Sequence, residues 1–212
     1  MLISVSTAPG GGAQATEARG SRARGRPRSE PARQAILAAA AELLLERGVI
    51  NVSMDAVAEL AGVSKATIYR WWPSKETLAL DALCDEWDVS AGVSDTGSLQ
   101  GDLIGLLLPV ARLASSRPYG RVIATLVAEA RTDPRFGAAY RERFLEPRRA
   151  LARTAFQRAV ARGQIPLSAD VEAAIDLLYG ALYLRLLHAH APLTQEFAET
   201  VVGIVVAGLE GI

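Results

Sequence analysis

Apolar residues recur every three or four positions along this chain from about residue 31 to the end. Ala, Leu, Glu and Arg, which favour helices, dominate the same stretch, and no run of alternating β-branched residues lies between turn signals. The pattern therefore predicts an all-α protein of about nine helices. The predicted helices are Glu30–Arg47, 54–61, 65–71, one that begins at Lys75, Leu99–Ser115, Tyr119–Thr132, Pro134–Arg162, Ala169–His190 and Gln195–Glu210.

Helix length and composition divide the chain into three predicted segments. Residues 1–29 are rich in Gly, Ser, Ala and Arg and offer too little apolar surface to offset the entropy of ordering, which predicts a disordered basic arm. Residues 30–76 hold three helices, two of them short, and predict a compact unit. Residues 77–212 hold longer helices and predict a helical bundle, with the fourth helix as the bridge between the two units.

The second and third predicted helices have the form of a helix-turn-helix. Gly62 sits in the short turn between them, because glycine adopts the backbone conformation that such a turn requires. In this motif the second helix lies in the major groove of DNA. The outward face of the third helix carries Ser64, Lys65, Thr67 and Arg70, whose side chains can reach base edges or phosphates. Residues 30–76 are therefore a predicted DNA-binding domain.

The sequence of this region is also informative as a whole. Residues 52–69 read VSMDAVAELAGVSKATIY, and residues 71–78 read WWPSKETL. Together with the preceding helix, this stretch resembles the DNA-binding region of the tetracycline-repressor (TetR) family of transcriptional regulators. The resemblance departs from the family pattern at Ala66, where Gly or Pro is frequent, and at Trp71-Trp72, where the family has a His-Phe-like pair.

The resemblance implies a phosphate-binding role for Ser53 at the start of the second helix, for Tyr69 on the recognition helix, and for Lys75 at the start of the fourth. Independently, the positive end of the fourth helix makes Ser74 and Lys75 a plausible phosphate seat. Each residue also has an ordinary structural alternative. Tyr69 is then a half-buried core aromatic, Lys75 a solvated lysine, and the serines simple helix caps.

Charge favours local rather than global attraction to DNA. The chain has 23 basic and 23 acidic residues, so its formal net charge is zero. Six arginines and one acid lie between residues 19 and 34, which makes this part of the arm strongly positive. Arg24, Arg26 and Arg28 in the segment RGRPR resemble the AT-hook, a motif that inserts arginines into the minor groove. The alternatives are simple phosphate contact and a solubilising leader.

The last two helices predict a homodimer. Nine of the thirteen residues from Phe197 to Leu209 are apolar, more than one buried stripe requires. Gly203, Ala207 and Gly208 allow close approach of another helix. These features predict a two-fold interface in which two helices from each subunit form a four-helix bundle, as TetR-like proteins do. Burial within the monomer is the alternative.

The middle of the bundle carries the candidate ligand pocket. The resemblance implies that this region encloses a small-molecule effector, although aromatic residues at helical spacing are more often core than ligand wall. The candidate pocket residues are Trp87, Leu106, Val110, Ile123, Tyr140, Phe144, Tyr179 and Tyr183.

Other chemistry is not expected. A single cysteine, Cys84, excludes an intramolecular disulfide and suits a reducing compartment. No apolar run is long enough to span a membrane, and the first residues lack the pattern of a signal peptide, so a cytoplasmic location is expected. We expect no metal site, no cofactor and no enzymatic activity, since no phosphate loop or nucleophile elbow is present.

Taken together, these patterns and the resemblance predict a TetR-like repressor that binds a palindromic DNA operator as a homodimer and is released by a small-molecule effector. Two alternatives belong to other classes of protein. One is an architectural protein that bends DNA through its arginine arm without sequence preference. The other is a helical scaffold with an enzymatic pocket.

Overall fold

A computed structural model describes residues 29–86, 92 and 94–210 of the chain. All regular secondary structure in these residues is helical, which confirms the all-α prediction. None of the described helices is long and apolar enough to cross a membrane. The helices are α1 (Glu30–Asn51), α2 (Met54–Leu60), α3 (Lys65–Tyr69), α4 (Lys75–Glu86), α5 (Leu99–Ser115), α6 (Arg117–Thr132), α7 (Pro134–Tyr140), a π segment (Arg141–Leu145), α8 (Glu146–Ala161), α9 (Val171–His188) and α10 (Gln195–Glu210).

Two predicted helices contain irregular backbone. Gly48 has a φ of +75° and interrupts α1, so the regular part of this helix ends where the sequence predicts. The helix predicted over Pro134–Arg162 is present, but the π segment lies within it. In this segment the Glu146 N–H donates to the Arg141 carbonyl five residues earlier. A π turn inserts one extra residue into an α-helix and shifts the faces that follow it. With α7, the π segment and α8 counted as one helix, the described residues form the predicted nine.

The first of two apolar cores joins the predicted DNA-binding unit to part of the bundle. It contains the inner faces of α1 to α4, and also residues of α6, α7 and the π segment. Ile36, Ile68 and Trp72 are buried here together with Leu126 and Phe144 from the carboxy-terminal half of the chain. Because α4 packs against α1 within this core, the two predicted units share apolar contacts along its length. The predicted boundary at residues 76 and 77 stays a prediction.

The second core lies between α5, α8, α9 and α10. Leu103, Phe156, Ile175 and Val202, one from each of these helices, are fully or almost fully buried in it. Ion pairs at the surface join α8 to α9 beside this core. Arg149 and Arg153 on α8 both pair with Glu172 on α9, and these guanidinium groups lower the pKa of the Glu172 carboxyl to about 2.

Candidate nucleic-acid interface

A tight turn sets α3 against α2. The Val63 N–H donates to the Ala58 carbonyl at 3.0 Å and the Gly62 N–H donates to the Glu59 carbonyl at 3.2 Å, while Gly62 has a φ of +65°. This pair of bonds is the Schellman arrangement, which needs a left-handed residue at the position of Gly62. Ile68 on α3 and Val57 on α2 are fully buried, so the two helices are locked together through their inner faces.

The predicted serines cap the two helices. The Ser53 Oγ accepts a hydrogen bond from the Ala56 N–H at 3.2 Å at the start of α2. The Ser64 Oγ accepts from the Thr67 N–H at 3.2 Å at the start of α3, and it lies 2.8 Å from the Thr67 hydroxyl. Ser53 and Ser64 are exposed, so their hydroxyls cap a helix and still face solvent.

The outward face of α3 presents the other predicted groups. Lys65, Tyr69 and Arg70 are exposed, and the Tyr69 ring keeps 48% of its accessible surface. The helix ends at Tyr69, slightly before the predicted end, and in the turn that follows the N–H groups of Trp71 and Trp72 both donate to the Ile68 carbonyl. The structure thus brings Lys65, Thr67 and Tyr69 together on one short helix, with Ser64 and Arg70 at its two capping positions.

Lys65 has a partner that the sequence analysis did not identify. Its Nζ donates to an Asp55 carboxylate oxygen at 2.8 Å, across the turn from α3 to α2. This hydrogen bond raises the pKa of Lys65. Asp55 is ten residues away in the sequence, outside the spacings at which side chains pair along one helix, so only the crossing of α2 and α3 reveals the contact.

Lys75 is also engaged. Its Nζ donates to the Ile50 carbonyl at 3.0 Å, which ties the start of α4 to the end of α1. Next to it, the Ser74 Oγ accepts from the Thr77 N–H at 3.2 Å and the Thr77 hydroxyl accepts from the Ser74 N–H at 3.3 Å. This reciprocal cap satisfies part of the helix terminus that the sequence predicts as a phosphate seat. Arg24, Arg26 and Arg28 lie outside the described residues.

Only three of the candidate pocket residues line a cavity together. Val110, Ile123 and Tyr183 line a cavity of only about 10 Å³ between α5, α6 and α9. A space of that size holds about one water molecule. Leu106 packs against the second core, and Trp87 lies outside the described residues.

A buried arginine, Arg148, is surrounded by the other pocket candidates Tyr140, Phe144 and Tyr179 and also by Tyr183. The hydroxyls of Tyr140 and Tyr183 lie 3.2 Å apart, and the Tyr179 hydroxyl donates to the Arg148 carbonyl at 3.5 Å. The Arg148 guanidinium lies 3.8 Å from the centre of the Phe144 ring and donates to the Phe144 carbonyl at 2.6 Å. Burial raises the pKa of all three tyrosines, that of Tyr179 to about 12, so their hydroxyls stay protonated. Arg148 is not among the pocket residues that the sequence predicts.

An apolar groove runs along the outer surface of α9 and α10. Leu177 on α9 is 64% exposed and Ile204 on α10 is 68% exposed. The groove has a volume of about 510 Å³ and is lined almost entirely by apolar and small residues, among them Ala173, Ala181 and Gly208.

A bihelical head with an exposed second helix, mounted on a helical bundle, defines the class of helix-turn-helix DNA-binding proteins. Two family models match the chain. One, described as "Bacterial regulatory proteins, tetR family", matches residues 36–82, and the other, "Tetracyclin repressor-like, C-terminal domain", matches residues 93–205. The chain therefore belongs to the TetR family of transcriptional regulators.

Relatives and solved structures agree with this assignment. The HTH-type transcriptional regulator YdeS of Bacillus subtilis is 40% identical over 77% of this chain and 82% of its own length. The DNA-binding transcriptional repressor TetR of Mycobacteroides abscessus is 34% identical over 75% of this chain and 84% of its own. The crystal structure of the TetR family transcription regulator SCO0332 superposes with a TM-score of 0.73 at 37% identity, covering 84% of this chain and 98% of that one. These similarities favour neither the architectural nor the enzymatic alternative.

The turn at Gly62 gives a direct test of the head's geometry. A Cβ at this position meets nothing within 4 Å, so Gly62→Ala adds backbone strain without a clash. We expect it to lower the free energy of unfolding by about 1 kcal/mol. Gly105→Ala is a matched control with the opposite sign, since Gly105 lies exposed in the middle of α5 with equally open space. We expect that variant to raise the free energy of unfolding by up to about 1 kcal/mol. Urea unfolding measures the free energy of unfolding of both variants. Equal changes in Gly62→Ala and Gly105→Ala contradict the left-handed turn assigned to Gly62.

Proposed function

We propose that this protein is a repressor that binds a palindromic DNA operator as a homodimer and leaves it when a small-molecule effector binds the bundle. Its site of action is then the cytoplasm, where bacterial DNA lies. The observation that carries the proposal is the exposed outer face of α3, whose inner face is buried against α2. A helix held in this way can enter the major groove without losing core contacts.

The groups around α3 divide into two roles. Lys65, Thr67 and Arg70 project from the helix that enters the groove, so they read base edges. We assign phosphate binding to Ser53, Ser64, Tyr69 and Lys75, whose contacts then fix the position of α3 in the groove. Lys75 exchanges the Ile50 carbonyl for a phosphate when DNA is bound. Arg24, Arg26 and Arg28 add contacts to the phosphates or the minor groove nearby.

Selection of bound fragments from a random pool of DNA duplexes tests this function. Two recognition helices related by a two-fold axis read inverted half-sites whose centres are about 10 base pairs apart. We expect the retained fragments to converge on such a palindrome. Fragments without a shared sequence would contradict the proposal and would indicate binding without sequence preference.

Lys65 on α3 and Lys75 at the start of α4 differ in their expected roles, which provides a second test. Lys75→Ala weakens binding to every sequence and reduces the slope of log affinity against log salt concentration by about one, because one phosphate contact is lost. Tyr69→Phe also weakens binding to every sequence. Lys65→Ala instead reduces the free energy by which the protein discriminates between correct and incorrect base pairs at particular positions, by about 1–3 kcal/mol. Affinities measured for the operator and for single-base variants separate the roles. If Lys65→Ala lowers every affinity equally, its base-reading role is wrong.

We assign dimerisation to the groove between α9 and α10. Leu177 and Ile204 leave an apolar surface in solvent, and the small residues beside them permit close approach of a second copy. A self-complementary patch of this kind closes a dimer about a two-fold axis. Two copies of α9 and α10 then form a four-helix bundle, which sets the distance between the two heads.

Replacement of one groove residue tests the dimer. Leu177→Glu places a charge in the apolar interface, so we expect a monomer in sedimentation experiments and a loss of operator affinity of at least tenfold. Leu167→Glu is the matched control, because Leu167 is 88% exposed but does not line the groove. That variant remains a dimer. A dimeric Leu177→Glu protein contradicts the assigned interface.

Effector binding requires the bundle to change shape. The cavity at Val110, Ile123 and Tyr183 holds about 10 Å³, whereas ligand pockets in proteins usually have volumes of about 300–1,000 Å³. An effector therefore selects a more open arrangement of α5, α6 and α9, and the DNA affinity changes only if that arrangement moves the heads. Operator affinity measured with and without a compound that binds the protein tests this step, and an unchanged affinity rejects it.

A further inference from the structure

We propose that Asp81 is a positioning residue for DNA reading. Its carboxylate links Trp72, which follows the recognition helix α3, to Arg143 in the π segment. The Trp72 Nε1–H donates to one oxygen of Asp81 at 2.8 Å. An Arg143 Nη donates to the other oxygen, also at 2.8 Å. This three-residue link rests on the proposed DNA-binding function, because its role is to orient the head.

The first half of the link acts on the recognition helix. The Trp72 N–H donates to the Ile68 carbonyl at 3.0 Å, so the backbone of Trp72 is bonded directly to α3. Trp72 is only 2% exposed and lies in the first core. A phenylalanine can fill much of the same space but cannot donate a hydrogen bond. The indole N–H therefore adds a directional restraint between α3 and α4 that packing alone does not supply.

The second half of the link comes from the bundle. Arg143 lies in the π segment, where the inserted residue changes which side chains face α4. The backbone of Arg143 also contacts this helix, since the Cys84 thiol donates to the Arg143 carbonyl at 3.7 Å. Burial raises the pKa of Cys84 to about 11, so this thiol keeps its proton. Two residues of α4 thus hold Arg143, one through its side chain and one through its backbone.

The charges make the two halves depend on each other. Trp72 is neutral, so the charge of Asp81 beside it is balanced by the Arg143 guanidinium. Without Arg143, water competes for the carboxylate and weakens its hold on the indole. The link is reachable by water, because Asp81, Cys84 and Arg143 line an open cleft of about 440 Å³. The hydrogen bonds of the link can therefore break without disruption of the core. A structural change in the bundle can then be passed to α3 through Arg143, Asp81 and Trp72.

Arg143→Gln tests the link, and Arg141→Gln is the matched control. Both residues lie exposed in the π segment and both variants remove one positive charge, but only Arg143 contacts Asp81. We expect Arg143→Gln to speed hydrogen exchange of the Trp72 indole N–H by about tenfold in NMR spectra of the DNA-free protein. The same variant lowers affinity for the selected operator by about tenfold, and both variants change affinity for random duplex equally.

A double-variant cycle separates a link from two independent contacts. In the Trp72→Phe background the indole donor is already absent, so Arg143→Gln has little further effect on operator affinity if the residues act through Asp81. Additive effects overturn the proposal. If Trp72→Phe does not fold, the exchange measurement on Arg143→Gln still tests the proposal. Equal exchange rates of the Trp72 indole N–H in Arg143→Gln and Arg141→Gln overturn the proposal. Failure of the wild-type protein to select any operator counts against the proposed function instead, because the exchange measurement needs no DNA.

Discussion

Everything that this protein does with DNA depends on the burial of one side of a five-residue helix. A helix as short as α3 is not stable in water by itself, because forming its first turn costs more conformational entropy than its few hydrogen bonds return. It persists because Ile68 is fully buried, because Ser64 caps its start and because the turn at Gly62 fixes its entry angle. The polar groups on its other side are thereby held in position without taking part in the core.

The head is not a separate body joined by a linker. Its core continues into α6, α7 and the π segment, so apolar contacts connect the recognition helix with the region in which the candidate pocket lies. Packed cores change between discrete arrangements rather than deform smoothly. This continuity gives a physical basis for the proposed response to an effector. The small cavity near Tyr183 is lined in part by Ala114 and Ile123, which belong to this shared core.

Two lysines of the proposed DNA-binding surface already have partners within the protein. Lys65 is bonded to Asp55, and Lys75 is bonded to the Ile50 carbonyl. In the proposed complex each bond is exchanged for one to DNA, which lowers the net gain per contact and disfavours binding to phosphates at random positions. In a chain of zero net charge, this exchange makes affinity depend on the simultaneous fit of several groups.

The sequence by itself determined the helical class, the helix-turn-helix and the family, because these follow from local patterns: apolar spacing, serine caps, and a glycine that permits a left-handed turn. It also marked Ser53, Tyr69 and Lys75 as candidates, whose roles at DNA stay predictions. Tertiary structure alone decided which distant groups meet. The pairs Lys65 with Asp55, Trp72 with Asp81, and Asp81 with Arg143 join residues 9 to 62 positions apart. Their contacts depend on how helices cross and on the extra residue of the π segment, and neither leaves a periodic signal in the sequence.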